Sequence, residues 1–267
     1  MIDNVSSHGN DVDVNPMVWK NLKQLWQSID RRQWYFILFM LLIITIITLS
    51  PFTLLLFKSK SMTWTGLLSF APGDRNVYFS YINQIKAGQT LLFNHFTTEH
   101  QTLGVFNIVW WTIGNIAKIL PFSTAIIFQV SRFITIPGLL ISLYLFIAYF
   151  FPNKLMRYWA FFLAVFGSGV GAYAASLVNT STTTKGQLIY LRASDLWMSE
   201  STVFNNLLYS PHLILATTLI LLIFLLILFA YQTNQYRYSI LAGVCSLFLF
   251  NFHPYHLPTI YLVPLVY

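Results

Sequence analysis

The sequence predicts an all-α, polytopic transmembrane helical bundle, and three observations carry that prediction. Of 267 residues, 56% are hydrophobic and 9% are charged, whereas a soluble domain carries about 25% charged residues. From Trp34 to Phe57 no residue is charged, and about 20 such residues suffice to cross a bilayer. Further apolar runs follow at 121–151, 155–178, 207–230 and 237–252, and a last one begins near 257. Such a chain lacks the polar surface to cover a water-exposed globule.

The elements read in order. Residues 1–15 are polar and are expected to be disordered. Residues 16–33 mix Trp, Leu and Val with Lys and Arg, the pattern of a helix lying in the membrane interface. No short apolar core near Met1 precedes a small-residue site, so a cleaved signal peptide is not expected. Residues 1–33 therefore read as a cytoplasmic tail with an interfacial helix, and 34–267 as the transmembrane domain. The segment 103–120 is about 18 residues long, at the lower limit for a span. Its paired Trp110 and Trp111 and its polar residues suit an interfacial helix instead.

That choice sets the topology. With 103–120 in the interface, the N-terminus, 152–157 and 231–236 are cytoplasmic, while 58–120, 179–206 and 253–256 face outward. If 103–120 spans, every later loop changes sides. Lys154 and Arg157 lie in one short loop and Arg237 beside another, and positive residues in short loops mark the inside. The first topology is therefore expected, with the protein multi-pass in a cell membrane and its N-terminus cytoplasmic.

Charge then becomes informative. The net +7 is spread over loops, without a basic cluster fit for nucleic acid. It matches membrane topology and attraction to anionic lipids. Cys245 is the single cysteine, so no disulfide framework exists. Of eight acids, Asp3, Asp11, Asp13 and Asp30 are N-terminal. The remaining Asp74, Glu99, Asp195 and Glu200 all fall in the two large outer loops, and His95, His100, His212, His253 and His256 lie in or beside outward-facing ends. Ionisable groups gathered beside a bilayer mark a functional site.

The motifs come in a definite order. Pro72-Gly73-Asp74 and Tyr78 are followed by Arg132 early in a span, then the Gly-rich run 167–171. Asp195, Glu200 and Phe204 come next, then Pro211-His212 and His253-Pro254-Tyr255. This ordered set covers 70–267 and resembles the GT-C fold membrane glycosyltransferases, in particular bacterial members of largely unassigned substrate. The chain departs from that pattern by stopping at Tyr267 inside an apolar run, so it reads as the N-terminal portion of a longer protein. The resemblance implies a GT-C-like bundle with interfacial helices in its first outer loop. It also implies a polyprenyl-phosphate-linked sugar donor and transfer at the outer face of the cytoplasmic membrane. No nucleotide-cradling loop is visible.

The chemistry assigns the candidates. Asp74 can accept the proton of an attacking hydroxyl, or simply cap a helix over 75–87 that Gly88 ends. Arg132, early in the span 121–151, can grip the donor phosphate bidentately or snorkel to headgroups. Arg75 and Arg192 are further cations, each also readable as a solvated loop residue. Asp195 and Glu200 stand about 140° apart if on one helix, and a break at Ser199 would bring them nearer. They can bind acceptor, cap helices, or offer oxygens to a divalent cation. Tyr78, Glu99, His100, His212, His253 and His256 are candidate substrate contacts. No tight His/Cys spacing indicates zinc. Residues 179–187 read as a polar, flexible loop tip. The competing function is a transporter or flippase of a lipid-linked or polar substrate, which would place charges near the midplane in repeated halves. Arg132 is the one charge well inside a span, and no repeat is evident. An inactive fragment is the third reading.

Overall fold

The computed structural model describes residues 20–58, 72–168, 181–184, 187–190 and 199–266. Helix α1 (Leu22–Gln27) is capped by Asn21, whose side chain accepts from the Gln24 amide. Helix α2 (Arg31–Lys58) starts on a reciprocal cap. The Gln33 amide donates to Asp30 Oδ1 at 2.9 Å, and the Asp30 amide donates to Gln33 Oε1 at 3.0 Å, so two orphan donors are satisfied at once.

Buried residues on α2 recur as Gln33, Ile37, Met40, Ile44, Thr48 and Phe52, one narrow stripe at helical spacing. The other faces are equally apolar yet exposed, with Leu38, Phe39, Leu42 and Ile46 all more than half open. A helix greasy on every side but packed on one is solvated by lipid. Helices α5 (Thr124–Phe150) and α8 (Pro211–Thr233) share this length and composition, so among the described residues three helices are long and apolar enough to cross a membrane.

The remaining described helices are shorter. They are α3 (Pro72–Lys86), α4 (Ile108–Ile119), α6 (Lys154–Phe166), α7 (Val203–Tyr209), α9 (Tyr236–Phe252) and α10 (Leu257–Val266). Helix α8 packs along both α5 and α9, and α3 packs on α4. At that last contact Gly114 is needed, because a Cβ there would overlap Ile85.

The helix start marked by Pro211-His212 is that of α8: the chain extends at Ser210 (φ −158°, ψ 144°), ending α7 inside the apolar run 207–230 and letting α8 begin at Pro211. Proline at a first helical position has no amide to waste. Within and just beyond the expected flexible tip at 179–187, β1 (Ser181–Thr184) pairs antiparallel with β2 (Gln187–Tyr190), a small addition to a helical fold. Hydrophobic periodicity could not reveal β1, which is made of consecutive polar residues. The run 155–178 is helical over α6, and from residue 169 to 178 it lies outside the described residues.

Helix α4 has 12 residues, a rise of about 18 Å. That falls short of a hydrocarbon core of about 30 Å, as the interfacial reading expects.

One end of the bundle is a polar knot. Lys154 donates to Asp30 Oδ2 at 2.7 Å. The buried Arg157 donates to Phe151 O at 2.7 Å and to Ser28 Oγ at 3.3 Å. The Leu22 amide reaches Tyr238 Oη at 3.4 Å. Residues 20–33, 151–157 and the start of α9 therefore share one end, and the candidate site is built at the other.

Candidate functional site

Helix α3 supplies the first wall. Arg75, Tyr78, Ile82 and Ile85 repeat every three or four residues and face inward, Arg75 being 1% exposed. Burial of Arg75 runs against its reading as a solvated loop residue. The helix starts at Pro72, so Asp74 occupies its first turn and is not the N-cap. A carboxylate is favoured at that positive end, and Asp74 is exposed there. Gly88 follows α3 at φ +99°, the left-handed turn that glycine adopts without strain.

The break at Ser210 supplies the second wall. Tyr209 Oη donates to Asp74 Oδ2 at 3.4 Å, and the Arg75 guanidinium lies 4.5 Å above the Tyr209 ring. Ser210 Oγ is 2.7 Å from His212 Nδ1. The His212 ring meets the edge of Tyr78 at 4.6 Å, and Tyr78 stacks on Trp110 of α4 at 4.8 Å. His253, after α9, follows at 5.7 Å from His212, and His256 lies 4.7 Å beyond it. Asn251 holds these parts in place, accepting from the Ile108 amide at 2.7 Å and donating to Phe106 O at 3.2 Å.

Glu200 sits in a 3-10 turn, Ser199–Ser201, just before α7, whose N-cap is Thr202. Its charge acts on Tyr78, Tyr209, His253 and His256. Burial, then the charge of Asp74, pushes Tyr209 up to about 12 and Tyr78 well above its usual value. Both phenols stay protonated near neutrality, so Tyr209 can donate to Asp74. Burial lowers His253 and His256 below the usual imidazole value, and Glu200 partly opposes this. Burial also lowers Arg75.

Arg132 behaves differently from either sequence reading of it. It does not snorkel: it is 0% exposed. Its guanidinium donates to Gln129 Oε1 at 2.8 Å, Leu207 O at 2.7 Å and Thr48 O at 3.2 Å. It also packs against Phe52 and Phe133. These bonds tie α2, α5 and α7 together. All three acceptors are neutral, so they do not cancel its charge, and Arg75 is near enough to feel it.

Of the candidates, Asp74, Arg75, Tyr78, Glu200, His212, His253 and His256 come together. Glu99 and His100 lie on an exposed loop away from this group. Asp195 and Arg192 lie outside the described residues. Sequence reasoning missed Tyr209 and Ser210, which carry no motif, and assigned Trp110 to the interface. Trp110 is 2% exposed, whereas its neighbour Trp111 is 39% exposed. Among the described residues no three His, Cys, Asp or Glu side chains group as a metal's ligands.

An apolar cavity of about 390 Å³ borders the cluster. Ile113, Ile134, Leu215 and Phe248, from four helices, line it, together with Val109, Pro211 and Phe252. The last three are the chain neighbours of Trp110, His212 and His253.

The class these features define is a helical protein with three membrane-length apolar helices and a polar cluster at one end of them. No protein-family model matches the chain, and no curated protein or solved structure is significantly similar to it.

Proposed function

We propose that this chain is an integral membrane glycosyltransferase of GT-C type. It moves a sugar from a polyprenyl-phosphate donor to an acceptor at the outer face of the cytoplasmic membrane. One observation carries the reading: an accessible carboxylate, Asp74, stands beside buried Arg75 in the polar cluster, and chain neighbours of that cluster's His212 and His253 line an apolar cavity. A lipid-linked sugar phosphate asks for those three features together.

The reaction follows from the groups present. The acceptor oxygen attacks the anomeric carbon and loses its proton to Asp74. The bond from that carbon to the phosphate oxygen breaks, and its electron pair leaves with the phosphate. Arg75, with Arg132 behind it, supplies positive charge where that negative charge develops. Tyr209 aims Asp74 through its hydrogen bond. The apolar cavity takes part of the prenyl chain, and Glu200 and the histidines contact the sugars.

The test uses the full chain in proteoliposomes with a panel of polyprenyl-phosphate hexoses and pentoses. Release of free polyprenyl phosphate is expected for at least one donor. Asp74→Asn should reduce it by about 100-fold or more, the contribution of a positioned base, with an unchanged melting temperature. Equal rates in wild type and Asp74→Asn would sink the reading.

A further inference from the structure

The far side of α3 carries a second pocket. Asn76, Ser80 and Asn83 recur at four- and three-residue spacing, which places them on one helix face. Asn76 stands about 200° around the helix from Asp74. This face therefore looks away from the cluster that Arg75 and Tyr78 enter. With Gln89, His95 and Phe96 these residues enclose about 580 Å³, within the range of small-molecule sites.

The pocket is held in shape before anything binds. Gln84 Nε2 donates to Phe93 O at 2.8 Å and to Ser80 Oγ at 3.1 Å, while Gln84 Oε1 accepts from the Phe93 amide at 2.8 Å. The loop behind it closes on itself: the Asn94 amide donates to Gln101 Oε1, and Gln101 Nε2 donates to Asn94 O, both at 2.8 Å. A loop fixed by its own hydrogen bonds loses little further freedom on binding.

Its chemistry selects the ligand. No Asp, Glu, Lys or Arg lines it, and His95 is its one ionisable side chain, so it holds no permanent counter-charge for a phosphate, a carboxylate or a cation. The amides of Asn76 and Gln89 each donate and accept, matching hydroxyls that do the same, while Asn83 Oδ1 already accepts from Thr124 and Ser80 Oγ from Gln84, so these two add chiefly N–H and O–H donors. Phe96 lines it and is 60% exposed, so its ring is open to the C–H side of a pyranose.

We infer that this pocket binds a neutral saccharide, on a site separate from the one around Asp74. The sugar can belong to a soluble oligosaccharide or to a glycolipid headgroup.

The test is calorimetric titration of the full chain in phosphatidylcholine nanodiscs. The soluble probes are maltotriose, mannotriose and chitotriose, and the lipid probe is monoglucosyl-diacylglycerol incorporated in the discs and read by hydrogen exchange over 76–96. Binding of at least one probe is expected. It should weaken at least 5-fold in both Asn76→Leu and Phe96→Ala, whose exposed side chains leave the melting temperature unchanged, and should persist in Asp74→Asn. A soluble probe that binds identifies the first source; response to the glycolipid alone identifies the second. No binding by any probe, or binding that both variants retain in full, overturns the inference. Because Asp74→Asn keeps this site intact, failure of sugar transfer and failure of this pocket are separate results.

Discussion

At the residue scale the two inner arginines divide the work. Arg132 donates to three neutral acceptors on different segments, so removing it leaves buried carbonyls without a donor. Arg132→Ala should lower the detergent melting temperature by the equivalent of about 2 kcal/mol, the scale of a lost charged hydrogen bond. Arg132→Lys should restore little, because an ammonium lacks the planar fork that reaches three directions. An unchanged melting temperature in Arg132→Ala would show that the bonds do not hold the helices. Tyr209 is the opposite case. Tyr209→Phe keeps the ring under Arg75 and deletes only the hydroxyl donated to Asp74. Turnover should fall about 10-fold, the worth of about 1.4 kcal/mol of aim, with KM and melting temperature unmoved. A rise in KM at constant turnover would place Tyr209 in binding. Arg132 and Asp74 were legible in the sequence because charge beside a greasy run is conspicuous. Tyr209 was not, because one tyrosine among fifteen has no local mark of its neighbours.

At the element scale, α3 and α4 make the site's platform, and their contact depends on Gly114. Gly114→Val would push Ile85 and the helix carrying Tyr78 away from Trp110. The expected cost is about 1–3 kcal/mol of overpacking, with a change in tryptophan fluorescence as the Tyr78 stack opens. A variant with native fluorescence and native melting temperature would refute the close contact. The end of helix α3 was readable from Gly88, since glycine takes the left-handed turn locally, but its start lies at Pro72 and not at residue 75 as the sequence suggests. The break at Ser210 was readable only in part: Pro211 marks a helix start. The break at Ser199 matches the 3-10 turn ahead of α7, but nothing nearby ends that helix at Tyr209.

At the scale of the whole molecule, two tests apply. In a Cys245→Ser background, an impermeant thiol reagent applied to intact cells should label Glu99→Cys and spare Leu155→Cys, both at exposed positions. The reverse pattern would invert the topology and move the site to the cytoplasmic face. The second test is pH. His253 and His256 are held by burial below the ordinary imidazole value, so below about pH 6.5 the unfolded chain takes up protons that the folded chain refuses. Stability should be full above that pH and should decline as pH falls through it, until the lowered folded values are reached. Combining His253→Gln and His256→Gln should flatten the melting-temperature slope between pH 7 and about 5. A slope unchanged by both substitutions would mean that the histidines do not titrate with folding.

The sequence alone marked the membrane-length α2, α5 and α8, the shortness of α4, and the acids and histidines of which several meet at one end of the bundle. These follow from run length and from the cost of moving charge into lipid, which each segment carries by itself. Tertiary structure alone decided that Arg75 is buried against Tyr209, that Trp110 leaves the interface to stack on Tyr78, and that Arg132 is spent on carbonyls. It also placed Glu99 and His100 outside the cluster. Which face of a helix meets which neighbour depends on side chains far away in the chain, and no local pattern records that distance.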